Sequence, residues 1–153
     1  MRMIIRIAKP EDLSTLLEFE QGVISAERPF NPTLIDGKIQ YYDLNYLMST
    51  DEAVVAVAEE GGVAIASGYA LIKKAEKPYF NFETYAYLGF MYVKPEYRGR
   101  GVNKLILDFL IDWSKEKGIT EIRLDVYDKN ESAIAAYEKA GFEPLLLTMR
   151  LKS

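Results

Sequence analysis

Two arginines alternate with two glycines in the run Val93-Lys94-Pro95-Glu96-Tyr97-Arg98-Gly99-Arg100-Gly101-Val102-Asn103. This run separates a strand-like segment, residues 84–93, from a strongly amphipathic one, residues 102–113. A strand, a glycine turn and a helix start together form a phosphate-binding device. The first turn of a helix leaves backbone N–H groups without partners, and its dipole adds partial positive charge at the same place. Gly99 and Gly101 keep the approach to those groups clear, while Arg98 and Arg100 supply charge-assisted donors. The chemistry implied is the holding of a pyrophosphate by amides between Arg98 and Asn103.

Other chemistries are closed by composition. The chain has no His and no Cys. A histidine base, a thiol nucleophile, a thiolate metal site and a disulfide framework are therefore excluded, and no metal is expected. The net charge of −4 argues against a general nucleic-acid binder, which needs a basic face. No stretch approaches the roughly 18 apolar residues of a membrane span, and the start of the chain lacks the apolar core of a signal peptide. A cytoplasmic protein is expected. The 153 residues read as a single domain, 1–153, with an ordinary apolar fraction of 49% and no internal repeat.

The elements that must position the loop follow from periodicity. Residues 3–8 form a β-branched first strand. Pro10, Glu11 and Asp12 open a helix whose buried face is marked by Leu13, Leu16, Leu17 and Ile24. After a loop over residues 27–32, a second helix is expected over 33–48, with Ile35, Ile39, Tyr42 and Tyr46 or Leu47 inward. Residues 53–59 and 63–74 read as a hairpin turning at Gly61-Gly62. Residues 79–93 contain the next strand. Val102, Leu105, Ile106, Phe109, Leu110 and Trp113 form a helical stripe closed by Gly118. Residues 121–126 alternate as a strand, 130–140 form a short helix, and 142–151 are expected to be a last strand.

Two motifs now carry a family resemblance. The run Tyr92-Val93-Lys94-Pro95-Glu96-Tyr97-Arg98-Gly99-Arg100-Gly101 resembles motif A of the GCN5-related N-acetyltransferases, the GNAT superfamily. Downstream, Asp128-Lys129-Asn130-Glu131-Ser132-Ala133-Ile134-Ala135-Ala136-Tyr137-Glu138-Lys139-Ala140-Gly141-Phe142 resembles motif B. The resemblance covers roughly residue 84 to the C-terminus, and the first half matches only in its order of elements. It implies an α/β GNAT fold: a mixed, mostly antiparallel central sheet with splayed central strands, flanked by helices. It also implies acetyl-CoA as donor, an amine-bearing acceptor, and direct attack within a ternary complex. The alternative from another class is a non-catalytic acyl-CoA-binding sensor or partner module with a degenerate site.

The resemblance also distributes roles. Pyrophosphate falls to Arg98, Gly99, Arg100, Gly101, Val102 and Asn103. The pantetheine arm pairs with the strand at Met91, Tyr92 and Val93, one N–H of which faces the thioester carbonyl. Asn103 departs from the small residue usual at that position. Asn130 either touches the CoA arm or caps its helix. Tyr137 is the expected acid: a phenol with pKa of about 10 can protonate a departing thiolate. A base is harder to find, because the central strand carries Tyr85, Tyr87, Gly89 and Phe90 where many relatives have a glutamate. Glu83 shares the face of Tyr85 and Tyr87 and is the candidate. Glu27 and Arg28, in the loop where relatives bind acceptor, offer partners for an amine and a carboxylate, and Tyr85 offers an aromatic wall. The apolar run Leu145-Leu146-Leu147 either joins the core or pairs across a homodimer.

Overall fold

The computed structural model describes residues 2–152. A five-stranded sheet runs in chain order, β1-β2-β3-β4-β5. The strands are β1 (Met3–Ile7), β2 (Ala53–Glu60), β3 (Val63–Lys74), β4 (Thr84–Val93) and β5 (Ile122–Leu124). The first three pairings are antiparallel, and β5 joins β4 in parallel. The parallel step requires a crossover, and helix α3 (Val102–Glu116) supplies it. β2 and β3 are buried on both faces, so they read as nearly continuous Ala, Val and Ile rather than as an alternation. Gly61-Gly62 turns their hairpin as expected, with Glu60 opposite Val63.

Each face of the sheet has its own core. Helices α1 (Leu13–Glu27) and α2 (Leu44–Ser49) cover one face, packing Leu16, Phe19, Val23, Leu44 and Leu47 on Val55, Val57, Tyr69 and Phe90. On the other face, Val102, Ile106, Leu107 and Leu110 of α3 sit on Ala56, Ala58, Ile65, Ala66 and Leu88. Full burial of one such aliphatic side chain is worth about 1.5–3 kcal/mol. The fourth helix, α4 (Glu131–Lys139), follows β5 and has no fully buried residue. Among the described residues, no helix is long and apolar enough to cross a membrane.

Two expectations about elements need correction. The helix expected over 33–48 is helical only from Leu44 to Ser49, and Ile35 is exposed rather than inward. Pro32 and Gly37 interrupt the pattern, and side chains of α1 and of Arg28 just after it bind the backbone that a helix would have used. Arg28 donates to the carbonyls of Ile35 and Gly37, and Gln21 Nε2 donates to Ile39 O at 3.0 Å. The buried Glu20 carboxylate accepts the N–H groups of Tyr41 and Tyr42, both at 2.8 Å. Asp43 then caps α2, accepting from Tyr46 N at 3.1 Å. The second correction is at the C-terminus. Residues 142–152 carry neither helix nor strand, and Leu145, Leu146, Leu147, Met149 and Leu151 are exposed. The alternation that reads as a strand is present, but no strand among the described residues pairs with it.

Candidate active site

The site begins where two parallel strands separate. β4 and β5 pair only at Ala86–Ile122, Tyr87–Arg123 and Leu88–Leu124. Beyond that point β4 continues to Val93, whereas β5 has ended. A bulge in β4 coincides with the separation. Ser67 of β3 pairs with Tyr92 and Tyr69 with Gly89, so Phe90 and Met91 stand opposite Gly68 alone. Phe90 adopts φ 60, a left-handed conformation that costs a bulky residue about 1–2 kcal/mol. The buried Ser67 hydroxyl holds it, donating to Phe90 O at 3.0 Å. Gly89 is required here, because a Cβ on it would stand 2.8 Å from the Tyr69 ring. Lys94 N donates back to Ile65 O of β3. By alternation, the amides of Met91 and Val93 face the open side. An extended ligand can pair there as an added strand.

The phosphate loop follows directly. Gly99 and Gly101 have φ 78 and 77, and no heavy atom lies within 4 Å of where either Cβ would be. Only glycine adopts this backbone at no steric cost. No side chain caps α3, so its first-turn amides remain available to an anion. Arg98 is ordered by donating Nε to Val93 O at 2.9 Å and by lying over the Tyr92 ring. Arg100 lies over Tyr97. An open glycine turn, a free helix start and anchored guanidinium groups fit a diphosphate with a tail along β4.

Across the split stands Tyr137 on α4. Its ring meets Phe142 edge-on at 6.1 Å. Burial, with the Glu27 carboxylate nearby, pushes its hydroxyl up to about 12. At neutral pH it is a protonated donor, and it makes no hydrogen bond to another described residue. Asn130 accepts from Ala133 N at 3.3 Å and so caps α4.

The face of the sheet under α1 and α2 carries a cluster of tyrosines. Tyr42 lies edge-on to Tyr41 and Tyr69, and Tyr69 is 6.4 Å from Tyr87. Burial raises the hydroxyls of Tyr41, Tyr42 and Tyr87, and pushes Tyr69 up to about 12. Two carboxylates face this cluster. Glu27, at the end of α1, acts on Tyr41, Tyr42, Tyr87 and Tyr137, and burial raises its own pKa. Tyr41 Oη is buried without a partner of full hydrogen-bond geometry, with Glu27 beside it. Asp125, the first residue after the last β4–β5 pair, accepts from Tyr87 Oη at 3.0 Å. Beside this cluster Asn31 donates to Tyr127 Oη at 2.9 Å, next to the stacked Phe30 and Tyr127 rings.

The structure brings Met91, Val93, the 98–103 loop, Tyr137 and Glu27 around the split. Other expected residues lie elsewhere. Glu83 is exposed in the turn before β4, where its carbonyl accepts from Ala75 N, and it lines a surface hollow with Lys74 and Phe82. Arg28 is occupied by carbonyls of the following loop. Tyr85 is buried under Phe82, its hydroxyl donating to Glu76 at 3.0 Å. Asp125 went unnoticed in the sequence. It takes an ordinary polar position in the alternation Glu121-Ile122-Arg123-Leu124-Asp125-Val126 and so carries no local signal of its own.

Comparison with known proteins fixes the lineage. The model of the acetyltransferase (GNAT) family matches residues 21–142. The chain belongs to that family. As a family member it is an acetyl-CoA-dependent N-acetyltransferase, with acetyl-CoA as cosubstrate. It is 29% identical over 153 residues to thialysine N-epsilon-acetyltransferase of Bos taurus, covering 95% of this chain and 77% of that one. Solved structures share the GNAT fold. The BH1408 protein of Bacillus halodurans superposes with a TM-score of 0.88 at 22% identity, covering 98% of this chain and 99% of the other. A predicted acetyltransferase of Clostridium acetobutylicum, solved with acetyl-CoA, gives 0.76 at 24% identity over 99% and 96% of the two chains.

Proposed function

We propose that this GNAT enzyme acetylates a primary alkylammonium group on a small, flexible acceptor. The observation that carries the reading is the tyrosine cluster with Glu27 and Asp125 facing it, near the point where β4 and β5 part. Aromatic faces and carboxylates together favour a cation. The relative that acetylates thialysine, an amino acid with a side-chain amine, supports the same acceptor class.

The proposed mechanism uses residues on both sides of the split. An alkylammonium with a lysine-like pKa of about 10.4 must lose a proton before it attacks. Asp125 takes that proton and passes it to solvent, its carboxylate held by Tyr87. Glu27 supplies a second negative charge that draws the cation in. The freed amine adds to the thioester carbon, and a backbone N–H at the β4 bulge stabilises the oxyanion. As the C–S bond breaks, Tyr137 gives its proton to the leaving thiolate. Tyr137 then regains a proton, by way of solvent, from the nitrogen that becomes the amide. Loop 98–103 binds the donor and holds it for in-place attack.

The test is release of CoA thiol with a panel of amines. Alkyl diamines and aminoalkyl amino acids should be turned over, while aromatic amines and neutral hydroxyl compounds should not. Tight acetyl-CoA binding without turnover of any alkylamine would overturn the reading.

A further inference from the structure

Among the described residues, tyrosines apart, three polar side chains are buried: Glu20, Ser67 and Ser114. Two of them have evident local work. Glu20 clasps the amides of Tyr41 and Tyr42, and Ser114 Oγ donates one turn back within α3, to Leu110 O at 2.8 Å. Ser67 instead reaches across to another strand, where its hydroxyl donates to Phe90 O at the bulge. Phe90 is the one non-glycine residue with a positive φ among the described residues. Packing around it leaves little room for another register. A Cβ on Gly68 would stand 2.6 Å from Ile106 Cγ2 and 2.8 Å from Met91 Sδ, and the Phe90 ring lies 4.9 Å from that of Tyr42.

The carbonyl that Ser67 holds and the N–H of Met91 belong to one peptide unit. That unit is planar and trans, so its C=O and its N–H point in opposite directions. A donor from β3 on the carbonyl therefore turns the Met91 N–H away from β3, toward the side where β5 has ended. Hydrogen bonds in a chain also polarise one another, so a carbonyl that accepts from Ser67 makes the N–H of its own peptide a stronger donor. We infer that Ser67 is a positioning residue for acetyl transfer: through the Phe90–Met91 peptide it aims and strengthens the N–H that meets the thioester oxygen. This role rests on the oxyanion donor of the mechanism proposed above, and not on which amine is the acceptor. Without the hydroxyl, the peptide relaxes toward the negative φ that a phenylalanine prefers, and its N–H leaves the thioester.

The thioester itself reports on this role. Acetyl-CoA isotopically labelled at its acetyl carbonyl is bound to the wild-type protein without any amine, and the C=O stretch is followed by infrared difference spectroscopy. It should lie below the frequency of free acetyl-CoA. In Ser67→Ala it should return toward the free value. Loss of a whole oxyanion donor costs about 10²–10³ in kcat, so the weakened donor of Ser67→Ala should cost about tenfold or more, with acetyl-CoA affinity by calorimetry held within about twofold. Ser67→Cys, close in size and a weaker donor, should displace the frequency less and in the same direction. Ser114→Ala is the control for a buried serine hydroxyl, and should lower Tm while frequency and kcat stay at their wild-type values. A wild-type frequency in folded Ser67→Ala overturns the inference even if kcat falls, because the loss then reflects packing. Where the alanine variant does not fold, an undisplaced frequency in Ser67→Cys overturns it. So does a displacement in Ser114→Ala as large as that in Ser67→Ala. A wild-type complex at the free frequency removes the oxyanion donor at the bulge and this role with it, while the acceptor reading still stands or falls on the amine panel.

Discussion

In the proposed mechanism Tyr137 is the acid and Asp125 the base, and their removal should leave different traces. Tyr137→Phe deletes the proton for the thiolate while preserving the ring against Phe142. It should lower kcat at least tenfold, within the usual range of about 10²–10⁴ for general acid–base catalysis, with acetyl-CoA affinity unchanged by calorimetry. Asp125→Asn keeps an acceptor for the Tyr87 hydroxyl but cannot take a proton. Its kcat/KM should fall about tenfold or more at neutral pH and recover toward high pH, where free amine is abundant; a loss independent of pH would remove Asp125 from the mechanism. Of this pair, only Tyr137 is legible in the sequence, because motif B fixes its helix and position. Asp125 becomes visible only through the register that sets Leu88 beside Leu124, a long-range fact that no local pattern contains.

At the scale of elements, side chains of α1 do much of the fastening. Glu20 is fully buried and satisfies two amides at once. Glu20→Gln turns half of that acceptor group into a donor, at a cost of roughly 1–3 kcal/mol. Calorimetry should show a Tm lower by about 2–4 °C per kcal/mol lost. Hydrogen exchange should accelerate at Tyr41 and Tyr42. The start of α1 depends on a carboxylate in another way. Asp12 accepts Arg6 Nη1 and Nη2 at 2.8 and 3.0 Å and Lys9 N at 2.7 Å, while Arg6 also reaches Glu59 at 2.9 Å. The Arg6 hydrogen bonds hold the Asp12 carboxyl below its usual range. Its stabilisation is therefore complete above the unfolded value of about 3.9 and is lost as pH falls through the lower folded value. Urea midpoints of wild type and Asp12→Asn should differ most near neutrality and converge in acid. The helix at 10–27 and the hairpin were readable from capping residues, periodicity and Gly61-Gly62. The stretch 33–43 was not. Its apolar residues have helical spacing, but what holds the backbone is Glu20, Gln21 and Arg28, whose reach is tertiary.

For the molecule as a whole, the order of strands and helices as far as α4 was legible, and so was the glycine loop between β4 and α3, because strand, glycine turn and amphipathic helix are contiguous. The end of the chain was not, since the alternation over 142–151 reads as a strand while the sheet offers it no pairing edge among the described residues. Charge also acts at this scale. The chain carries −4 overall, with Glu27 and Asp125 facing the tyrosine cluster. Screening at higher ionic strength should weaken attraction of a cationic acceptor. The acceptor KM should rise several-fold between 0.05 and 0.5 M salt, roughly as the Debye length shrinks, and kcat should stay level.

The irregular segment between residues 31 and 43 is held by clasps from Glu20, Gln21 and Arg28 and by the packing of Tyr42 on Tyr69, and it supplies no strand to the sheet. Such a segment is a cassette. On the reading proposed above, its residues can drift toward new amines while the clasps stay put and β4 is untouched. One scaffold can thereby change its clientele without renegotiating its architecture.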